Sequence, residues 1–346
     1  MSDDRRRPGQ HASRRDEALR RWIADEVHPF CAPIRAQFDR SGLGRRGVRS
    51  ASDLARLPVT ELADLGDGRR NVLEPSAERI RESAGFQLRT KLLVADVLGR
   101  RDGFARREVD GPYKPVRWMA DRHAAGTLYT GITTTDLDRL TALGRRALAV
   151  SGITPADRVA CIGAAAGTGP LQLELGARDA GVAHLVLGEL DPEVLASAAP
   201  TVMAGAAPDL ERAMDAGLPD SVRMLVVHVG STGGGVAGMR ARSGRPVRLW
   251  WAPAGVRAAW ATCEGDHLHT WPEHEHLEVV DDDGRPAESG RLVWSAVGWR
   301  GSVWLRVALG PEGRVERETC SCGRTTPRVL GPARARRRSP AGAGTR

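Results

Sequence analysis

The sequence predicts an α/β protein: a parallel sheet with flanking helices, followed by a β-rich subdomain closed by a Cys/His zinc clasp. Three observations carry this prediction. Apolar strands at 159–162, Ala183–Leu187 and Met224–Val229 alternate with helical segments over short links, a pattern that specifies a parallel sheet covered on both faces. Past Gly230 the pattern changes to short strands and hairpin turns. Two clusters, Cys263 with His269 (C-x5-H) and Cys320 with Cys322 (C-x-C), lie at either end of those strands.

Taken in order, residues 1–20 read as a disordered basic segment, because the seven arginines of residues 1–21 meet only Asp3, Asp4, Asp16 and Glu17. Residues 21–118 form an N-terminal helical and mixed subdomain. Leu19, Trp22, Ile23, Val27 and Phe30 follow helical spacing, and Pro29 and Pro33 kink or end that helix. Ser50 and Asp53 make a capping-box start for a short helix ended at Pro58, and residues 83–99 have helical character. An α/β subdomain spans 119–245. In it Thr133 and Asp136 cap a helix bearing Leu137, Leu140, Leu143 and Leu148, which stops at Gly152. Further helices start at Pro170, at Asp191-Pro192 and near Pro208. The β-rich subdomain covers 246–330, with a hairpin tip at 281–283, and 331–346 reads as a disordered Arg-rich tail.

Charge and cysteine usage narrow the function classes. The net charge of +8 is fully accounted for by residues 1–21 and by residues 331–346, which carry five arginines and no acid; residues 22–330 are neutral. A nucleic-acid-binding surface is therefore not expected in the folded body. Five cysteines in 346 residues make no disulfide framework, and no run of ~20 apolar residues offers a membrane span. A reducing cytoplasm is the expected location, with Cys31 and Cys161 as small core residues.

Three thiolates and an imidazole are the donor set of a closed tetrahedral Zn2+ site, so Cys263, His269, Cys320 and Cys322 are the candidate ligands of a structural ion. Four protein ligands leave no open position for substrate or water. The plainer alternative is a set of ordinary thiols beside a His-rich loop, and His267 competes with His269 as the ligand. Elsewhere, Gly163, Gly167 and Gly169 after a strand, with Glu189 after the next, suggest a nucleotide or S-adenosylmethionine site, but the glycine spacing is longer than such turns use. GSTGGGVAG lacks the Lys-Ser/Thr of a Walker loop.

The order of pieces resembles the phenylacetate-CoA ligase branch of the adenylate-forming superfamily over roughly residues 20–330. FCAPIRAQFDRSGLGRRGVRSASDLARLPVTELADL resembles its helical opening, and GITTTDLDRLTALGRRALAVSGITPADRV the segment after its phosphate loop. CEGDHLHTWPEHEHLEVVDDDGRPAESGRLVW followed by CSCGRTTPRVLG resembles its β-subdomain, including the zinc-ligand pattern. The resemblance implies ATP, Mg2+ and CoA as ligands, yet the groups that serve them are altered. The phosphate loop falls at AAGTLYTGIT, where Gly126 and Thr127 alone remain of its pattern; Ala254 and Gly255 stand where a Thr and a Glu serve adenylate and Mg2+; and Gly310 or Pro311 stands where an Asp holds the ribose. No segment resembling the C-terminal domain with its catalytic Lys follows the Cys pair. The expectation is a ligase-like scaffold that has lost adenylation and binds a small carboxylate or acyl ligand or a protein partner. The alternatives are an active acyl- or aryl-CoA ligase with diverged motifs, and an S-adenosylmethionine-dependent methyltransferase.

Overall fold

A two-stranded hairpin, β1 (Arg117–His123) with β2 (Gly126–Ile132), stands beside a single sheet of eleven strands. The computed structural model describes residues 8–123, 126–163, 167–230 and 236–333. In one half of the sheet β3 (Arg158–Ile162), β4 (Ala183–Leu187), β5 (Val202–Ala206), β6 (Met224–Val229) and β7 (Val247–Trp251) run parallel in the order β4-β3-β5-β6-β7. The other half is antiparallel: β8 (Trp260–Thr262), β9 (Leu268–His269), β10 (Glu275–Val280), β11 (Gly290–Ala296), β12 (Val307–Glu316) and β13 (Arg328–Ala333) continue from β7 in the order β8-β9-β13-β12-β11-β10.

The α/β class and a β-rich region that carries the Cys/His cluster are as the sequence predicts, but the boundaries shift. The division expected at 245/246 falls in front of β7, which is parallel to β6 and belongs to the α/β half. Residues 331–333, expected to open the tail, belong to β13, which runs to Ala333; the rest of that segment lies outside the described residues.

The larger correction concerns residues 1–20. Of these, 8–20 are folded, within helix α1 (Pro8–Trp22). His11 is buried, with Nδ1 2.8 Å from Glu273 Oε1 and Nε2 3.2 Å from Thr325 Oγ1. Asp16 accepts from the Ala51 N–H at 3.2 Å, and Trp22 Nε1 donates to the Trp299 carbonyl at 3.0 Å. Long-range polar contacts and the burial of Leu19 and Trp22 outweigh the disordering effect of the arginines, of which Arg14, Arg20 and Arg21 are exposed and Arg15 is half-buried beside Asp16.

Helices α2 (Phe86–Val97), α3 (Thr134–Ser151), α4 (Thr168–Ala180) and α5 (Ala207–Ala216) complete the framework used below. The capping box of Thr133 and Asp136 opens α3, and Gly152, at φ 75°, ends it. α3 packs backbone to backbone on α4: a Cβ at Gly144 would lie 2.2 Å from the Gln172 carbonyl oxygen. The densest part of the core lies in the antiparallel half and its edge with β7, where seven of the nine tryptophans are almost fully buried. No described helix is long and apolar enough to cross a membrane.

Candidate metal centre and the phosphate-loop position

Cys263 and His269 face Cys320 and Cys322 across two tight turns. After β8, the Asp266 N–H donates to the Cys263 carbonyl at 3.0 Å and the Cys263 N–H to the His267 carbonyl at 3.1 Å. Between β12 and β13, the Cys320 N–H donates to the Arg324 carbonyl and the Gly323 N–H to the Cys320 carbonyl, both at 2.8 Å, with Gly323 at φ 78° where a side chain would be strained. β13 pairs with β9 through Arg328↔His269 and Val329↔Leu268, and this pairing sets the two turns side by side.

The ligand atoms of the four residues all lie within 4.8 Å of one another. Cys263 Sγ is 3.9 Å from Cys320 Sγ, and Cys322 Sγ is 3.5 Å from His269 Nε2. A tetrahedron with Zn–S of ~2.3 Å and Zn–N of ~2.0 Å has S···S edges of about 3.8 Å and S···N edges of about 3.5 Å, so these two edges match such a tetrahedron and the cluster could hold a metal ion. Cys263, His269 and Cys320 are buried and Cys322 is half-buried. His267 lies outside this group, with its Nδ1 3.2 Å from Sγ of the candidate ligand Cys320.

The surroundings prepare these donors. His269 Nδ1 is 2.8 Å from Thr326 Oγ1, which leaves Nε2 directed at the sulfurs. Burial, then Arg324 and Arg328, lowers the His269 pKa to about 4, so the imidazole is neutral and its lone pair available. Burial pushes the Cys263 thiol up to about 11. Burial also acts to raise Cys322, but hydrogen bonds from the Arg324 side chain and backbone, and then from Cys320 and Cys263, bring it below the ordinary thiol value. A divalent cation supplies the positive charge that would hold all three sulfurs as thiolates. The next residue along from Thr326, Thr325, meets His11, so α1 is anchored at the edge of this centre. Nothing in the local sequence singled out His11 or Glu273, whose partners lie far along the chain.

The phosphate-loop position looks different. Gly126 and Thr127 are strand residues: His123 pairs with Gly126 and Arg122 with Thr127, so only residues 124 and 125, outside the described set, connect the two strands. A phosphate cradle needs a run of unpaired backbone N–H groups around an open space. In the segment 251–256, Ala254 is buried and Gly255, at φ 84°, packs under β2, where a Cβ would lie 3.3 Å from Leu128 Cδ2. In 305–311, buried Arg306 pairs with Glu278 at 3.2 Å and donates to the Ala55 and Gly284 carbonyls at 2.9 and 3.0 Å, a structural tie.

The far end of the hairpin, where β2 leads into α3, is held by a buried ion pair whose acid is legible in the sequence only as a helix cap. Asp136 accepts from the backbone N–H groups of Thr133 (3.1 Å), Arg300 (2.9 Å) and Gly301 (2.7 Å), and from Arg257 Nη2 at 3.3 Å. Arg257 also donates to the Gly131 carbonyl at 2.9 Å, and a Cβ at Gly301 would lie 1.9 Å from that same oxygen. Hairpin, α3 and residues 300–302 are locked together.

At the glycine-rich turn after β3, a Cβ at Gly163 would come within 2.0 Å of Asp209 Oδ2, so an acid from the first turn of α5 closes over the glycine. Glu189 follows β4 at the sheet edge, and residues 164–166 of the turn and 231–235 of GSTGGGVAG lie outside the described residues.

No protein-family model matches the sequence, and no curated protein does. The fold is that of adenylate-forming acyl-CoA ligases. The chain superposes on 2-hydroxyisobutyryl-CoA ligase in its postadenylation state with 2-HIB-AMP, with a TM-score of 0.68 at 16% identity, covering 93% of this chain and 66% of that one. It likewise matches the open conformation of that ligase with 2-HIB-AMP and CoA, with a TM-score of 0.67 at 16% identity over 92% of this chain and 72% of the other. The chain thus spans about two thirds of the length of these ligases.

Proposed function

We propose that the protein is a ligase-fold scaffold of the phenylacetate-CoA ligase-like kind that keeps a structural Zn2+ on Cys263, His269, Cys320 and Cys322, has lost carboxylate adenylation, and binds a small carboxylate or acyl ligand or a protein partner. The observation that carries the loss is the β1–β2 hairpin, whose strands pair up to His123 and Gly126 where the resemblance calls for a phosphate cradle. Adenylation builds negative charge on the transferring phosphate, and each missing donor there costs roughly 2.7–4 kcal/mol of transition-state stabilisation. Ala254, Gly255, Gly310 and Pro311 offer neither a metal ligand nor a hydroxyl. The zinc assignment rests on donor spacing and on the Thr326 contact to His269, and four protein ligands suit a structural ion. Five free thiols suit a reducing cytoplasm.

ATP–pyrophosphate exchange with phenylacetate, benzoate or a medium-chain fatty acid tests the proposal. No exchange above background is expected. Exchange that saturates in ATP and depends on the carboxylate would instead establish the active-ligase alternative, to which the 2-HIB-AMP and CoA held by the neighbouring ligase structures lend support.

A further inference from the structure

α2 is apolar on both sides and covered on one. Leu88, Leu92 and Ala95 face the core, whereas Phe86 (83% exposed), Leu93 (63%), Val94 (50%) and Val97 (77%) are open, as is Leu98 (56%) just past the helix end. A helix that is hydrophobic all round belongs in a buried setting, and a contiguous open apolar patch marks an interaction surface. Beside Val94 and Leu98 the face falls into a groove of about 690 Å3 whose floor includes Phe86 and Phe104.

The charges around this face say what covers it. Arg100 and Arg107 line the groove, Arg89 lies on α2 and Arg106 adjoins Arg107; none of the four has an acidic partner among the described residues. Among their neighbours Lys91 pairs with Glu108 at 2.7 Å, and Arg81 and Arg101 with Asp96 at 2.8 and 2.6 Å, whereas exposed Asp102 and Asp110 have no ion-pair partner among the described residues, so four unpaired cations stand against two unpaired acids and the rim stays net positive. A second copy of the chain would bring the same unpaired arginines and set like charges against each other. Residues 1–7, with three arginines and two aspartates, and residues 334–346, with five arginines and no acid, repel the face in the same way. The cover is therefore apolar and negatively charged. The uncharged polar side chains open on this face are Gln87 and Thr90, and Thr90 Oγ1 already donates to the Phe86 carbonyl at 2.9 Å; one free amide does little to fix a register on a folded partner, whereas a fluid interface asks only for apolar area and positive charge.

We propose that the α2 face seats the protein on an anionic lipid surface, with Phe86, Leu93, Val94 and Val97 entering the acyl boundary and the four arginines meeting headgroup phosphates. The proposal is independent of the ligase reading. Flotation of the full chain with phosphatidylcholine vesicles, with and without phosphatidylglycerol, tests it. Binding to the anionic vesicles is expected to exceed binding to phosphatidylcholine alone by about tenfold or more, and to weaken with added salt. Leu93→Glu combined with Val97→Glu, at exposed positions that leave the circular dichroism unchanged, should weaken binding by about tenfold or more while every arginine remains; Arg100→Glu with Arg107→Glu should do the same. Failure of the wild-type chain to float with anionic vesicles overturns the proposal. So does undiminished flotation of the Leu93/Val97 variant, which would assign binding to the terminal arginines, or a solution dimer that Leu93→Glu dissociates, which would assign the face to a second copy.

Discussion

The candidate metal corner and the phosphate-loop position both lie among paired strands and differ in how their polar groups are used. At the first, four donors converge within 4.8 Å of one another with a hydroxyl orienting the imidazole. At the second, the strands pair up to His123 and Gly126, and the far end of β2, at Gly131, is tied by the buried ion pair of Asp136 and Arg257. The lesson is that paired strands offer a binding site only where polar groups are left without internal partners; where ladder bonds and a buried ion pair satisfy them, the same topology becomes scaffold.

The sharpest way to break this contrast is at the metal. Purified protein should carry about one Zn2+ per chain, and Cys320→Ser or Cys263→Ser should release it with a stability loss on the order of 5 kcal/mol, part of the ~10–16 kcal/mol that zinc contributes to small peptides whose site and fold form together. Metal analysis and chemical denaturation read both; an unchanged denaturation midpoint after chelation would mean that the centre is ornamental. Next in size, Arg257→Ala should cost about 3–5 kcal/mol by stranding the buried Asp136 carboxylate, yet leave zinc content untouched. Loss of zinc in that variant would show that the two corners are coupled.

Acid titration separates α1 from the metal it adjoins. Burial works to raise Glu273, but the His11 hydrogen bond and Arg146 prevail and bring it down from 4.5 to about 2. A depressed carboxylate contributes stability that is present above its unfolded value and lost as pH falls through the folded one, here between about 4.5 and 2. Glu273→Gln should therefore flatten the melting temperature across that window and remove roughly 2–3 kcal/mol at neutral pH. An acid limb as steep as in the wild type would place the titration elsewhere. The smallest effect is expected for Thr127→Ala, within ~0.5 kcal/mol in stability and without change in nucleotide binding. A measurable loss of ATP affinity there would restore the phosphate-loop role.

The elements of the α/β half were legible because their signals are local: the capping box at Thr133 and Asp136, Gly152 at the end of α3, and the apolar run at Met224–Val229. The Cys/His set was legible because few arrangements of those residue types have another use. The remainder depends on pairings between distant residues. His11 finds Glu273, Asp136 finds Arg257 and Arg300, and Arg306 ties Ala55 to Gly284, none of which leaves a trace in spacing. β9, two residues long, is too short to announce itself, yet it joins the two halves of the sheet through β13.

The position of β13 sets a schedule for synthesis. It is the last described strand of the chain and lies inside the sheet, between β9 and β12. Until it leaves the ribosome, β9 and β12 each present an open edge, and Cys320 and Cys322 emerge only shortly before it. Long-range strand insertion is slow, and unpaired edges invite association with other chains. A nascent chain halted before residue 328 should therefore hold a parallel half able to condense early and an antiparallel half waiting for its keystone, which makes this the interval in which chaperones have most to protect.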